Sequence, residues 1–343
     1  MQNPRQILDH LTAGRDLSEA QARALLDRLT APDLPPAMAG ALLAALRCKG
    51  VTAAEVRGFA GAMRTLARKP AFPRGSDAID IVGTGGDASG SLNLSTGAAL
   101  LTAACGLPVI KHGNRSMSSR SGSADLIERL GFELPLDEAR AAECFAATGF
   151  TFLFAPYFHP AMKSVAPIRA ALGVRTVFNM LGPLTNPGAP RFYLIGAYDA
   201  AAAELIAESL AGMDAERAWV VHGAAGWDEP TPIGPFLAFE VQGGGIRRLE
   251  VDPRDLGLAP CAPGDLAGGE AAGNLVALRD VFEGREHGAH RRALLLQSGL
   301  ALHIAGRAAT IEEGIETAAS GLDSGRAQRW LRQLEEFAAG TRP

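Results

Sequence analysis

The sequence predicts an α/β protein: a small N-terminal α-helical domain over residues 1–70 and a large α/β domain with a mostly parallel sheet over residues 76–343. Three observations predict it. Up to about residue 70, apolar residues recur at spacings of three and four, with no strand-like run. Beyond residue 76, short β-branched or aromatic runs alternate with helical stretches rich in alanine and leucine. Several of the short runs end directly in segments rich in glycine and hydroxyls, and ligands bind at such strand ends in open α/β sheets.

The elements follow in order. Ser18 can cap a helix through Ala22, Leu25, Leu26 and Leu29. Pro35 and Pro36 open a second one through Ala39, Leu42, Leu43 and Leu46, which Gly50 stops. Thr52 and Glu55 form a capping box ahead of Val56, Phe59, Met63 and Leu66. No titratable cluster stands out in these helices, so scaffolding or subunit contact is their expected role. Residues 70–76, with Pro70, Pro73 and Gly75, predict a linker. Strands are expected at 79–82, 107–110, 151–155, 193–197, 218–222 and 236–241. Helices are expected at 123–131, 137–147 and 199–212, then at 273–284, 290–305, 311–321 and 324–338.

Two segments carry most of the chemistry. Residues 111–125 hold Lys111, Arg115, Arg120, His112, Asn114, five serines and two glycines. Little in that composition builds a core. It predicts a loop dense in hydrogen-bond donors at the end of a buried strand, suited to a ligand carrying several phosphates. Earlier, the run Ile79-Asp80-Ile81-Val82 passes straight into Gly83-Thr84-Gly85-Gly86-Asp87. Glycines there let the backbone approach a ligand and turn its N–H groups towards it. Ser95 and Thr96 precede an alanine- and leucine-rich stretch, which places them near a helix N-terminus. Gly83, Gly85 and Ala88 loosely fit a dinucleotide fingerprint, but residues 105–111 offer no acid for a ribose, and no P-loop is present. Phosphate binding survives this comparison and dinucleotide binding does not.

Three further features are weaker alone. Arg169 lies in a mostly apolar helical segment and calls for a carboxylate or a structural salt bridge. His159 taken alone is the pattern of a satisfied structural histidine. Asp228 and Glu229 follow a strand and suggest Mg²⁺, which one or two carboxylates hold together with substrate phosphates.

Composition bounds the reading. The chain has 343 residues, 47% hydrophobic and 20% charged, with net charge −4. That suits a globular enzyme and disfavours a general nucleic-acid or anionic-membrane binder. Cys48, Cys105, Cys144 and Cys261 form no C-x-x-C pair, and Cys48 and Cys105 are expected as buried free thiols. No apolar signal core and no run of about twenty apolar residues is present, so a cytoplasmic location is expected.

Together these segments resemble the anthranilate phosphoribosyltransferases. The resemblance covers Gly83 to Asp87, Asn93 to Thr96, residues 111–125, His159 to Met162, Val165 to Arg169, residues 179–187 and Asp228-Glu229, in the family's order and over nearly all the chain. It implies a fold like that of nucleoside phosphorylases and phosphoribosyltransferases, with residues 165–190 rejoining the helical domain and a homodimer through that domain. It implies transfer of phosphoribose from PRPP to the amine of anthranilate with Mg²⁺. Carried over by position, Gly83, Thr84, Gly86, Asp87, Asn93, Ser95, Thr96, Lys111 and Ser123 would hold PRPP. Gly83, His112, Asn114, His159 and Arg169 would line the anthranilate path, Arg169 taking the carboxylate. Asp228 and Glu229, with Ser95, would bind the metal. The chain departs from the family at Leu92, Trp227 and residues 230–235. The alternatives are a related phosphoribosyltransferase or nucleoside phosphorylase with another acceptor, and a non-enzymatic paralogue that binds nucleic acid. The acidic net charge and the retained phosphate loops count against the last.

Overall fold

The computed structural model describes residues 3–72, 77–115 and 120–340. The N-terminal part forms α1 (Pro4–Thr12), α2 (Glu19–Thr30), α3 (Pro36–Lys49) and α4 (Ala53–Leu66). Asn3, Ser18 and Thr52 cap α1, α2 and α4, with Gln6, Gln21 and Glu55 completing the capping boxes, and Pro36 opens α3. Of the expected linker, residues 73–76 lie outside the described residues, as do Ser116 to Ser119 of the donor-rich segment.

The alternating part runs β1 (Ile79–Gly83), α5 (Leu94–Ala104), β2 (Val109–Gly113), α6 (Ser123–Arg129), α7 (Glu138–Thr148) and β3 (Phe150–Phe154). The short α8 (Ala155–Phe158) leads to α9 (Met162–Leu172) and α10 (Phe178–Leu181). Then come β4 (Phe192–Gly196), α11 (Ala200–Ala211), β5 (Arg217–His222), β6 (Phe236–Gln242) and β7 (Gly245–Val251). The chain ends in α12 (Ala271–Phe282), α13 (Ala289–Ile304), α14 (Ile311–Asp323) and α15 (Arg326–Ala338).

The strands form one sheet in the order β3-β2-β1-β4-β5-β6-β7, parallel from β3 to β5 and antiparallel at β6 and β7. From β1 the chain moves outward to β2 and β3, then returns to place β4 on β1's other side. The strand order therefore reverses between β1 and β4, where open α/β sheets leave a crevice for ligands.

Alternate strand residues feed two apolar cores. Ile79, Ile81, Leu194, Trp219 and Val221 face α5 and α13. Tyr193, Ile195, Ala218 and Val220 share a cluster with α11 and with Leu25, Phe59 and Met63 of the N-terminal helices. These helices thus cover one face of the sheet as well as one another. α9 lies against α2 and α3, and α10 against α4, whereas residues 182–184 return to β1 and β2.

Three expectations are corrected. The second strand extends to Gly113, so Lys111 and His112 are buried residues of β2 rather than part of the donor-rich loop that follows it. Compensating charge around Lys111, described below, is what permits this. β7 has no counterpart among the expected strands, because it is an edge strand whose residues are mostly exposed and whose apolar alternation is confined to Leu249 and Val251. Cys48 is exposed and Cys105 half-buried, so neither is a fully buried thiol. Among the described residues, no helix is long and apolar enough to cross a membrane.

Candidate active site

The site is built on strand ends without side chains. Gly83 and Gly196 end β1 and β4 and are paired in register. A methyl group on Gly196 would lie 1.4 Å from the Asp228 carbonyl oxygen, and one on Gly83 would lie 2.4 Å from the Asp228 carboxylate. After β5, a methyl group on Gly223 would lie 2.0 Å from the Glu229 carbonyl. The 228–229 segment can lie across the sheet at the point of strand reversal only because these positions are glycine.

The two acids then meet the glycine loop and α5. Asp228 Oδ2 accepts the Gly85 N–H at 2.5 Å, and the Asp228 N–H donates to Asp87 Oδ2 at 3.2 Å. Glu229 Oε1 accepts the Ser95 N–H in the first turn of α5 at 2.9 Å, and its Oε2 accepts the Ser91 hydroxyl at 3.2 Å. Both acids are buried. Burial, followed for Asp228 by the charge of Asp87 and for Glu229 by that of Asp228, pushes both above the ordinary carboxylate range. The hydrogen-bond partners of their carboxyl groups are amides, the Ser91 hydroxyl and, for Asp228, the Asp87 carboxyl, with no arginine or lysine among the described residues.

Lys111 is the cation that faces them. It is 1% exposed, and its ammonium donates to the Ile81 carbonyl at 2.5 Å. Burial lowers its pKa, while the charges of Asp80, Glu229 and Asp228 oppose that shift. One buried cation stands among the carboxyl groups of Asp80, Asp87, Asp228 and Glu229, too few to stabilise them all as carboxylates, and Asp80, Asp228 and Glu229 are accordingly pushed up. This donor set fits Mg²⁺, whose remaining ligands are commonly water and substrate phosphate. Among the described residues, no set of three His, Cys, Asp or Glu side chains closes a metal cage by itself.

The other residues expected for PRPP surround this centre. The Thr84 hydroxyl accepts the Tyr198 N–H at 3.1 Å. Asn93 Oδ1 accepts from Asn274 at 2.8 Å and from the Ser121 hydroxyl at 3.0 Å. Thr96 is buried in α5. The Ser123 hydroxyl, at the start of α6, donates to the Asn114 carbonyl at 3.1 Å. Arg115 departs from the expected cluster of ligand-facing cations. It pairs with Asp125 at 3.0 Å and Glu128 at 2.5 Å, so α6 already neutralises it.

On the acceptor side, the structure brings His112 and His159 together, ring centroids 5.1 Å apart and edge to face. His112 Nδ1 lies 3.0 Å from the Gly182 carbonyl, and its buried Nε2 has no protein partner among the described residues. Burial, then the neighbouring His159, pushes the His112 pKa down to about 3, and burial pushes that of His159 down to about 4. Arg169 is half-buried on α9, its guanidinium 5.4 Å from the Phe178 ring centroid. Burial lowers its pKa, and no ion pair holds it among the described residues. Asn114 is exposed at the rim. No hydrogen bond or ion pair among the described residues joins Asn114 or Arg169 to the histidine pair.

A family model described as "Glycosyl transferase family, a/b domain" matches residues 75–328, and one described as "Glycosyl transferase family, helical bundle domain" matches residues 5–67. The anthranilate phosphoribosyltransferase of Rubrobacter xylanophilus is 45% identical over 338 residues, which is 98% of this chain and 97% of the relative. This chain belongs to the anthranilate phosphoribosyltransferase family. The structure agrees. The anthranilate phosphoribosyltransferase of Thermus thermophilus matches with a TM-score of 0.91 and 40% identity, covering 97% of this chain and 99% of that one. The Saccharomyces cerevisiae anthranilate phosphoribosyltransferase in complex with PRPP and Mg matches with a TM-score of 0.89 and 26% identity, covering 98% of each.

Sequence reasoning assigns no role to Asp80, Asn186, Arg175 or Tyr198. Asp80 is fully buried and accepts from the His112 N–H at 3.3 Å and from Asn186 at 2.8 Å, tying β2 to the loop before β4. Burial raises its pKa to about 7, against the opposing charge of Lys111. An acid inside a β-branched run is the signal available for Asp80. Arg175 and Tyr198 reach the glycine loop from distant elements, which no local pattern marks.

Proposed function

We propose that this protein transfers the 5-phosphoribosyl group from PRPP to the amine of anthranilate, releasing pyrophosphate, as a step of tryptophan biosynthesis. The observation that carries the reading is the buried Asp228-Glu229 pair, seated on the Gly85 and Ser95 amides with Lys111 opposite, at the strand-reversal crevice. Family membership supports the choice of substrates.

PRPP is held by Gly83, Thr84, Gly86, Asp87, Asn93, Ser95, Thr96, Lys111 and Ser123. Asp228 and Glu229, with Ser95, would hold Mg²⁺, which when bound supplies charge neutralisation to the leaving pyrophosphate. The loop amides and the ammonium of Lys111 are preorganised donors for the same developing charge. Anthranilate lies along Gly83, His112, Asn114 and His159, its carboxylate on Arg169, which no ion pair holds among the described residues. Its nitrogen forms the new bond to the ribose C1 carbon as the C1–oxygen bond to pyrophosphate breaks, and the amine then loses a proton. An aromatic amine is neutral near pH 7, so the site needs position more than a strong base. His112 and His159 are neutral there too, which suits lining and hydrogen bonding.

In the same reading, residues 1–70 with about 165–190 form a helical unit hinged to an α/β unit over the rest of 76–343. The protein is a cytoplasmic homodimer joined through the helical unit. The family-model boundaries support the split near residue 70, and the packing of α9 on α2 and α3 supports the return of that helix to the helical unit.

The test follows anthranilate fluorescence with purified protein, PRPP and Mg²⁺. Loss of fluorescence that needs all of them is expected. PRPP binding without fluorescence loss would replace anthranilate by another amine.

A further inference from the structure

Gly85 and Gly86 both sit at positive φ, +73° and +78°, and carry no side chains to hold the turn. What holds it comes from elsewhere. The Arg175 guanidinium donates to the Gly86 carbonyl at 2.6 Å and stacks 3.9 Å from the Tyr198 ring centroid. The Tyr198 N–H in turn donates to the Thr84 hydroxyl at 3.1 Å. The Arg175 carbonyl accepts from the Arg47 guanidinium of α3. Gly173 ends α9 in a left-handed turn, which lets the chain leave the helix that carries Arg169 and extend Arg175 towards the loop.

The geometry has a specific consequence. A trans peptide holds its C=O and N–H on opposite sides of one plane. Fixing the Gly86 carbonyl therefore fixes the direction of the Asp87 N–H. We propose that Arg175 is a positioning residue for PRPP: it locks the Gly86-Asp87 peptide so that the loop amides are aimed before the phosphates arrive. A planar guanidinium can bond a carbonyl at its edge and stack on a ring with its face at once, which an ammonium cannot. The inference rests on the reading that this loop holds PRPP.

The test first measures PRPP binding to the unaltered protein with Mg²⁺ by calorimetry. Steady-state kinetics then compare it with Arg175→Ala and Arg175→Lys. Arg175→Ala is expected to raise the PRPP KM about tenfold, the worth of one charge-assisted hydrogen bond, with the anthranilate KM and kcat within about twofold. Arg175→Lys keeps a donor and loses the stacking, so its PRPP KM should fall between the two. An unchanged PRPP KM in Arg175→Ala overturns the proposal. So does an equal change in both KM values together with a lowered Tm and no rescue by lysine, which marks a structural role only. Failure of the unaltered protein to bind PRPP removes the underlying reading, and this inference with it, before any variant is made.

Discussion

Glu229 and Glu240 are the same residue type and each is 8% exposed, Glu229 lying deeper beneath the surface. At the β5–β6–β7 edge, burial pushes Glu240 up, but hydrogen bonds from Arg247 at 2.6 Å and Arg217 at 2.5 Å outweigh it and hold the carboxyl below its usual range. At the strand-reversal crevice, Glu229 has amide and hydroxyl partners and two acidic neighbours, and it is pushed up. One region has its charge balanced by the chain itself. The other is built with the balance missing. Buried like charges held together at some cost in stability mark a place where a ligand completes the structure.

The largest effect separating the two regions should come from a single methyl group. Gly196→Ala places a Cβ 1.4 Å from the Asp228 carbonyl, so the acid segment must move off the sheet. We expect turnover to fall by about 10²-fold or more and stability to fall by about 3 kcal/mol. At the hairpin, Gly245→Ala meets only the Gln242 carbonyl at 3.4 Å, and a change under about 1 kcal/mol is expected there. Assay and thermal unfolding of both variants check the contrast, and equal effects would break it.

Exchanging the charges sharpens the comparison. The double variant Asp228→Asn, Glu229→Gln should lose about 10²-fold in Mg²⁺-dependent turnover. Its metal-free Tm should hold or rise, because the repulsion is gone. Glu240→Gln should show the reverse, with turnover within about twofold and stability lowered by about 1–2 kcal/mol. The lower figure allows for Arg247, which is 66% exposed and already screened. If the double variant unfolds at a lower temperature while keeping its metal dependence, the crevice acids are structural.

The same contrast explains what is legible in the sequence. The cap at Ser18, the capping box at Thr52, the alternation beyond residue 76 and the helix expected at 199–212 are local patterns, and the structure reproduces them. So is a glycine run after a β-branched strand, which places the crevice. Lys111 reads as a loop residue because its compensating charges, Asp80, Asp228 and Glu229, come from two other parts of the chain. β7 escapes because an exposed edge strand needs no apolar pattern. The neutralisation of Arg115 depends on Glu128 one helix later, and the Arg175 clamp on a loop 89 positions away. Charge pairing across the chain is what a linear reading loses.

Arg169 extends the comparison to a cation. Arg217 is satisfied by Glu240, whereas Arg169 is half-buried with no ion pair among the described residues. Arg169→Ala should therefore raise the anthranilate KM between about 10- and 100-fold, the range of one lost charged hydrogen bond or bidentate pair, and leave the PRPP KM nearly unchanged. Equal increases in both constants would show that Arg169 supports the fold around the site instead.

The smallest expected effect concerns pH, and here the sign separates acids from histidines. Asp228 and Glu229 have folded pKa values above their unfolded ones, so the metal-free protein loses stability as pH rises through the folded values. Mg²⁺ should restore it on that side only. His159 runs the other way. Its folded value of about 4 lies below the unfolded one, so its contribution is full above about pH 6.5 and fades as pH falls towards 4. His159→Gln cannot take up the proton. Its unfolding midpoint should therefore decline less steeply than that of the unaltered protein between about pH 6.5 and 5, a difference of order 1 kcal/mol at the acid end. With substrates saturating, neither histidine should produce an inflection in kcat between about pH 6 and 8, since both stay neutral throughout. Thermal melts across pH read the first expectation and rate profiles the second. Parallel acid limbs for the two proteins would mean that His159 already reaches solvent. An inflection near neutrality that disappears in His159→Gln would give that imidazole a proton to move in the reaction, and position alone would no longer account for the acceptor side.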